Sequence, residues 1–294
     1  MRLGRRVRAA LLAGAALAAC ARASSGADPL AALKAALERG DLPAAVRAGE
    51  AAVAADPQSS EANDLLGRAY GLTARDARLL EQMHLARKAR VCFARAVELD
   101  PRNVAALSDL ARYDMRAPGI LGGGRKKARE AIARVAALDP VRGHVLAGEL
   151  AEAEKEPARA EAEYRAAVAA DPASSRGRVA LSAFFVTRQD YGQARRVWSE
   201  AGEPQASSTL AAYELGGIAL ASGQWLPEAA ERLEGALGHP DPTEDPSPAV
   251  CHERLAAIYE KLGKKREAAV QLEAALHLEP ARADWRERLD RLEK

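Results

Sequence analysis

An all-α array of paired, closely packed helices is the fold this sequence predicts, and three observations predict it. About a quarter of the 294 residues are alanine, the residue with the highest helix propensity. Acidic-residue–proline dipeptides recur along the chain at Asp56-Pro57, Asp100-Pro101, Asp139-Pro140, Asp171-Pro172 and Glu279-Pro280. Columns of small and large apolar residues run in register with those prolines. The 48% hydrophobic and 29% charged fractions are those of a folded protein, and the length corresponds to about two domains. Aromatic residues make up only 4%, which disfavours single-strand nucleic-acid binding and stacking pockets.

The first element is an export signal over residues 1–19. Arg2, Arg5, Arg6 and Arg8 precede an apolar run from Ala9 to Ala19 that contains no acid and is too short to span a bilayer. Leu17-Ala18-Ala19-Cys20 resembles the lipobox of bacterial lipoproteins, which implies cleavage before Cys20 and a diacylglycerol on its sulfur. Ala21-Arg22-Ala23 offers a second processing site, with cleavage after Ala23 and a soluble product. Removing four arginines takes the formal net charge from +2 to −2, so the mature chain has no global attraction for nucleic acid. Residues 20–27 then form a short tether. Beyond Cys20 only Cys92 and Cys251 remain, without C-x-x-C spacing, so neither a disulfide framework nor a zinc site is indicated.

The repeat follows. The prolines are spaced by 44, 39, 32 and 108 residues, the last being close to three units. Twelve positions before them stand Ala45, Ala89, Ala128, Ala160 and Ala268; five before stand Ala52, Ala96, Val135, Ala167 and Ala275; eight before stand Gly49, Phe93, Ile132, Tyr164 and Leu272. Upstream lie Leu66-Gly67 with Tyr70, Leu215-Gly216, and Leu255 with Tyr259, and turn glycines stand at Gly40, Gly223 and Gly263. This pattern resembles the tetratricopeptide (TPR) repeat, a pair of antiparallel helices in about 34 residues. One pair cannot bury its apolar face alone, so neighbours stack. The expectation is that small residues bring the two helices of a pair together, that the larger residue eight before the proline fills the gap to the next pair, and that the proline ends the second helix.

Seven units are expected, over 26–59, 60–103, 104–140, 141–174, 175–208, 209–243 and 249–282, giving a TPR solenoid over 28–282. A capping helix follows over 283–294, with Trp285, Leu289 and Leu292 on one face. The second unit carries about ten extra residues around Thr73 to Met83, read as longer helices. The third carries about five extra in Ala117-Pro118-Gly119-Ile120-Leu121-Gly122-Gly123-Gly124, read as a loop. Both insertions fall between first and second helices and are therefore expected to be neighbours. A proline-acidic spacer from His239 to Pro248 precedes the seventh unit.

No catalytic constellation stands out: the five histidines are scattered and no hydrolase, Walker or metalloprotease motif occurs. Gly122-Gly123-Gly124-Arg125-Lys126-Lys127 has the residue types of a phosphate cradle but lacks the preceding strand and the Lys-Ser/Thr pair, so an interhelical turn is the reading. His239 with Asp241, Glu244 and Asp245 reads as a solvated linker rather than a metal site.

The resemblance implies a non-enzymatic, cofactor-free protein-binding scaffold whose concave face is lined by first helices. Its positions fall on Lys34, Arg68, Arg112 and Arg116 in the first three units, interspersed with Glu38, Glu61 and Asp64, and later on Val179, Val186, Leu210, Tyr213 and Leu220. A groove that starts basic and turns apolar is the expectation. The asparagine-containing carboxylate clamp of chaperone-binding TPR proteins is not reproduced. The edge loop of Ile120, Leu121, Gly122, Gly123 and Gly124 is a second candidate contact. With Ala21 rather than aspartate after Cys20, the resemblance implies the periplasmic face of an outer membrane and a protein partner in the envelope. A soluble periplasmic peptide or small-solute binder of a transport system is the alternative, and it predicts a closed apolar pocket in units five and six.

Overall fold

The structure is a computed structural model that describes residues 28–203, 205–238 and 245–293. The expected export signal, Cys20, the expected tether and residues His239, Asp241 and Glu244 of the acidic spacer lie outside the described residues. Those described form fifteen α-helices and two single-turn 3₁₀ helices, with no strand among them. The chain divides into two compact units, one up to residue 131 and one from residue 132 onward.

In the first unit the helices are α1 (Pro29–Glu38), α2 (Leu42–Ala55), α3 (Ser60–Asp76), α4 (Leu79–Leu99), α5 (Val104–Arg116) and the start of α6 (Arg125–Leu138). In the second, after the rest of α6, come α7 (Pro140–Ala153), α8 (Pro157–Ala170), α9 (Ser175–Thr187), α10 (Tyr191–Ser199), α11 (Thr209–Ser222), α12 (Leu226–Leu237), α13 (Pro248–Lys261), α14 (Lys265–Leu278) and α15 (Ala283–Leu292). Six sequential pairs pack together, α1–α2, α3–α4, α7–α8, α9–α10, α11–α12 and α13–α14, and α15 seats Trp285 on Leu272, Ala275 and Leu276. Within each unit the first helices of successive pairs also touch one another, as α1, α3 and α5 do. This is the stacked all-α arrangement of a solenoid.

The connections between pairs show why the Asp-Pro dipeptides recur. Asp56, Asp100 and Asp171 each follow a helix and accept the backbone N–H two residues on, from Gln58, Arg102 and Ala173 at 2.9–3.0 Å. Three residues after each aspartate, Ser59, Asn103 and Ser174 cap the next helix through the N–H of Ala62, Ala106 and Arg176. At Asp139 the two turn residues are missing. Its own N–H closes α6 on Val135 O at 2.7 Å, while its carboxylate caps α7 through Arg142 N at 2.9 Å. Pro140 therefore opens α7 instead of following the end of α6, which corrects the sequence-based role of that proline and moves the unit boundary by one residue. The shortened link brings the two helices so close that a Cβ on Gly143 would lie 2.5 Å from Ala136 Cα.

The turns within pairs repeat as well. Gly40, Lys155, Gln189 and Gly263 occupy one position with φ between 60° and 75°. The residue after each donates its N–H back to Ala36, Ala151, Phe185 and Tyr259, the six-to-one bond of a Schellman cap. Glycine was legible there; Lys155 and Gln189 were not.

The residue eight before the proline reaches the next pair, as expected, and also closes its own pair. Phe93 of α4 lies on Gly67 of α3, its own partner helix, where a Cβ would meet the ring at 2.6 Å. Tyr164 of α8 lies likewise on Gly148 of α7. Tyr164 also reaches the following pair, with its ring centroid 5.6 Å from Phe184, and Phe93 packs with Leu110 and Tyr113 of α5. The Gly at one face and the large ring at the other thus form the seam of the pair. The stacking core is supplied by Leu, Phe and Trp side chains such as Leu181, Phe185 and Trp198.

The insertion in the second pair is absorbed by longer helices, 17 residues in α3 and 21 in α4. That in the third pair forms the 3₁₀ turn Gly119–Leu121, which packs against α4.

Candidate functional site

In the first unit the predicted groove cations meet carboxylates from neighbouring first helices. Lys34 of α1 has its Nζ 2.7 Å from Glu61 Oε1 of α3. Further along α3, Arg68 places Nη2 2.9 Å from Asp64 Oδ2 and donates through Nε to Asp109 Oδ2 of α5. Asp109 in turn lies 3.7 Å from Arg112 Nη1. The i,i+3 and i,i+4 spacings within α3 and α5 set the pairs along each helix, and the stacking of α1, α3 and α5 sets those across. The expected basic ladder is therefore a lattice of both signs. Arg116, in the last turn of α5, is exposed.

Asp64 is the unusual member. It is buried, its Oδ1 has no hydrogen-bond partner, and burial pushes its carboxyl up to about 7 against the opposing pull of Arg68, with Asp109 and Glu61 adding to the rise. Its place one turn before Arg68 on α3 was legible from sequence; its burial was not.

The edge loop is held from several sides. Tyr113 donates its hydroxyl to Leu121 O at 2.9 Å, and Lys127 donates its Nζ to Gly122 O at 2.8 Å. The N–H groups of Gly122, Gly123 and Gly124 donate to Gly119, Pro118 and Asp114 carbonyls. Those donors are used inside the loop, so the segment is a turn and not an anion cradle. Gly123 has no room for a side chain, since a Cβ would lie 2.0 Å from Ala117 O. Ile120 stands fully outward at 76% exposure, as do Leu79 and Leu80 at the start of α4, whereas Leu121 is half-buried.

In the second unit the predicted apolar positions are built into the packing. Val179, Val186 and Leu210 are half-buried against the Leu181–Phe184–Phe185–Trp198 core, and Tyr213 and Leu220 against that of α12 and α13. Arginines lie over the rings: the Arg188 guanidinium is 3.8 Å from the Phe184 centroid and that of Arg254 is 3.5 Å from the Tyr213 centroid, with Arg254 also donating to Tyr213 O at 3.0 Å. Between Leu215, Ile218 and Trp225 the remaining space is about 10 Å³, room for one water at most. Tyr213 thus lies under an arginine, while Val179, Val186 and Leu210 are half-buried parts of the packing.

Among the described residues no group of three or more His, Cys, Asp or Glu is placed to hold a metal, and no helix is long and apolar enough to cross a membrane. His144 and His252 face Glu163 and Gln271 at 2.9 and 2.7 Å, each on its own helix pair. Burial pushes the Cys92 thiol up to about 11, away from thiolate chemistry.

No protein-family model and no curated protein sequence matches the chain. Among solved structures it is similar to a tetratricopeptide repeat protein from Parabacteroides merdae ATCC 43184, at 16% identity over 90% of this chain and 98% of that one, with a TM-score of 0.47. It is also similar to a thermophilic TPR protein of Thermus thermophilus, at 20% identity over 65% of this chain and 97% of that one, with a TM-score of 0.48. On its own geometry of six packed helix pairs, glycine-on-ring seams and repeated interhelical caps, the chain has a TPR-like α-solenoid fold.

Proposed function

We propose that this protein is a non-enzymatic interaction scaffold of the bacterial cell envelope that holds a protein partner on the first-helix face of its N-terminal unit. The observation that supports this reading is the charge lattice of Lys34, Glu61, Arg68, Asp109 and Arg112, in which Lys34, Glu61 and Arg68 remain 46%, 55% and 39% exposed. Of these, the Lys34–Glu61 pair is exposed on both sides; such pairs contribute little to stability, typically under about 1 kcal/mol, so an extended segment of mixed charge can replace it at small cost. Val179, Val186, Leu210 and Tyr213 offer a second, less polar surface for the same partner. The basic and apolar residues of 1–19 and the lipobox-like Leu17–Cys20 support a lipid anchor on the periplasmic face of the outer membrane, with Arg116 and the edge loop facing other envelope proteins.

The test is crosslinking of the full-length protein in its native membranes, beside Lys34→Glu/Arg112→Glu and Cys20→Ser variants. Arg68 is left intact because a carboxylate there would face Asp64 and Asp109. Loss of one crosslinked partner in the double variant, with the melting curve unchanged, supports the face. An unchanged crosslinking pattern removes it. A Cys20→Ser protein that still partitions with membranes removes the anchor.

A further inference from the structure

The second unit holds an open cleft of about 200 Å³ between α8, α9 and α10 that belongs neither to the charge lattice nor to the first-helix face. Arg178 of α9 forms part of its lining and is only 6% exposed. One guanidinium donor, Nη1, is fixed on Pro172 O at 2.7 Å, and no carboxylate of the described residues pairs with it. A buried arginine is ordinarily paired, because an uncompensated charge out of water is costly. The remaining N–H donors of Arg178 have no protein partner among the described residues and open onto the cleft.

The rest of the lining supplies what an anion there needs. Arg165 of α8 and Arg196 of α10 stand at the rim, 55% and 65% exposed, against one rim carboxylate, Glu200. Arg165 is held by Glu161 at 2.9 Å, while Arg196 Nε is 4.0 Å from Glu200, the limit of an ion pair. Counting Glu161, which holds Arg165, three arginines stand against two glutamates and leave a net charge of +1. Phe185 and Leu181 form an apolar wall beside them.

We propose that this cleft binds a small organic oxyanion, a carboxylate or phosphate ester carrying an apolar group, with Arg178 as its buried counter-ion and Arg165 and Arg196 closing over it. Arg178 presents a fixed fork to the oxyanion, and the apolar group lies on Phe185. The inference rests on the cleft alone and is independent of any protein partner.

The experiment is calorimetric titration of the protein with phenyl phosphate, benzoate and neutral benzyl alcohol, alongside Arg178→Gln and Arg165→Gln/Arg196→Gln variants checked by thermal melting. Saturable one-to-one binding of an anion, none of benzyl alcohol, and affinity about tenfold or more weaker in the rim variant are expected. The ratio of phenyl phosphate to benzoate affinity then tells which oxyanion the site takes. Binding should also raise the melting temperature of the native protein. If Arg178→Gln misfolds, the exposed rim variant carries the test. Absence of saturable binding by both anions, or equal binding in the rim variant, overturns the proposal.

Discussion

The Phe93 ring occupies the volume that a Cβ on Gly67 would need, 2.6 Å from its Cε1, so the pair of helices α3 and α4 is closed by a glycine on one side and a ring on the other. Gly71 lies one turn on in the same helix, and a Cβ there would meet nothing within 4 Å. Gly67→Ala is expected to cost about 1–3 kcal/mol by overpacking. Gly71→Ala is expected to add roughly 0.5–1 kcal/mol through helix propensity. Urea unfolding of the two variants gives opposite shifts of midpoint; shifts of the same sign contradict the seam.

Asp64 makes the protein's stability depend on pH in an uncommon direction. Its carboxyl titrates near 4 in an unfolded chain and at about 7 in the folded one. Between these values the folded protein holds a proton that the unfolded chain has released. The contribution is thus complete below pH 4 and is lost as pH rises through 7, with a slope of at most about 1.4 kcal/mol per pH unit. Asp64→Asn is expected to flatten the stability profile over that window. An unchanged slope in denaturation series from about pH 4.5 to 7.5 would place the titrating group elsewhere.

Lys155 and Gln189 hold left-handed backbone, φ 62° and 60°, at the turn where Gly40 and Gly263 stand in other pairs. A side chain costs on the order of 1 kcal/mol in that conformation. Lys155→Gly and Gln189→Gly are each expected to raise stability by about 0.5–1 kcal/mol, and the two to add, since they lie in separate turns. Thermal melts of the single and double variants check this.

Ala160 is completely buried in α8, where it lets the helix approach α7. Ala160→Leu is expected to cost on the order of 1–3 kcal/mol. In a stacked array each pair touches only its neighbours, so hydrogen-exchange protection should fall in α7, α8 and α9 and persist in α13 and α14. Uniform loss along the chain would contradict an array of semi-independent pairs.

The amino-acid sequence by itself determined the all-α class, the pairing of helices and most of their limits. Those follow from local chemistry: Asp56, Asp100 and Asp171 form turns with their own following backbone, Ser59 and Asn103 cap the next helix, and Gly40 and Gly263 permit left-handed turns. The same locality explains why Pro118 and the glycines of 122–124 read correctly as a loop. What only the tertiary structure decided depends on side chains that meet across helices far apart in sequence. Arg68 and Asp109, 41 residues apart, pair because α3 and α5 stack, so a row of cations in the sequence becomes a lattice of both signs in space. Lys155 and Gln189 adopt glycine's conformation because the flanking helices impose the turn. Arg178 gave no signal in the sequence, since an arginine on a helix is ordinarily solvated; its burial without a counter-ion arises only when α8, α9 and α10 close around it.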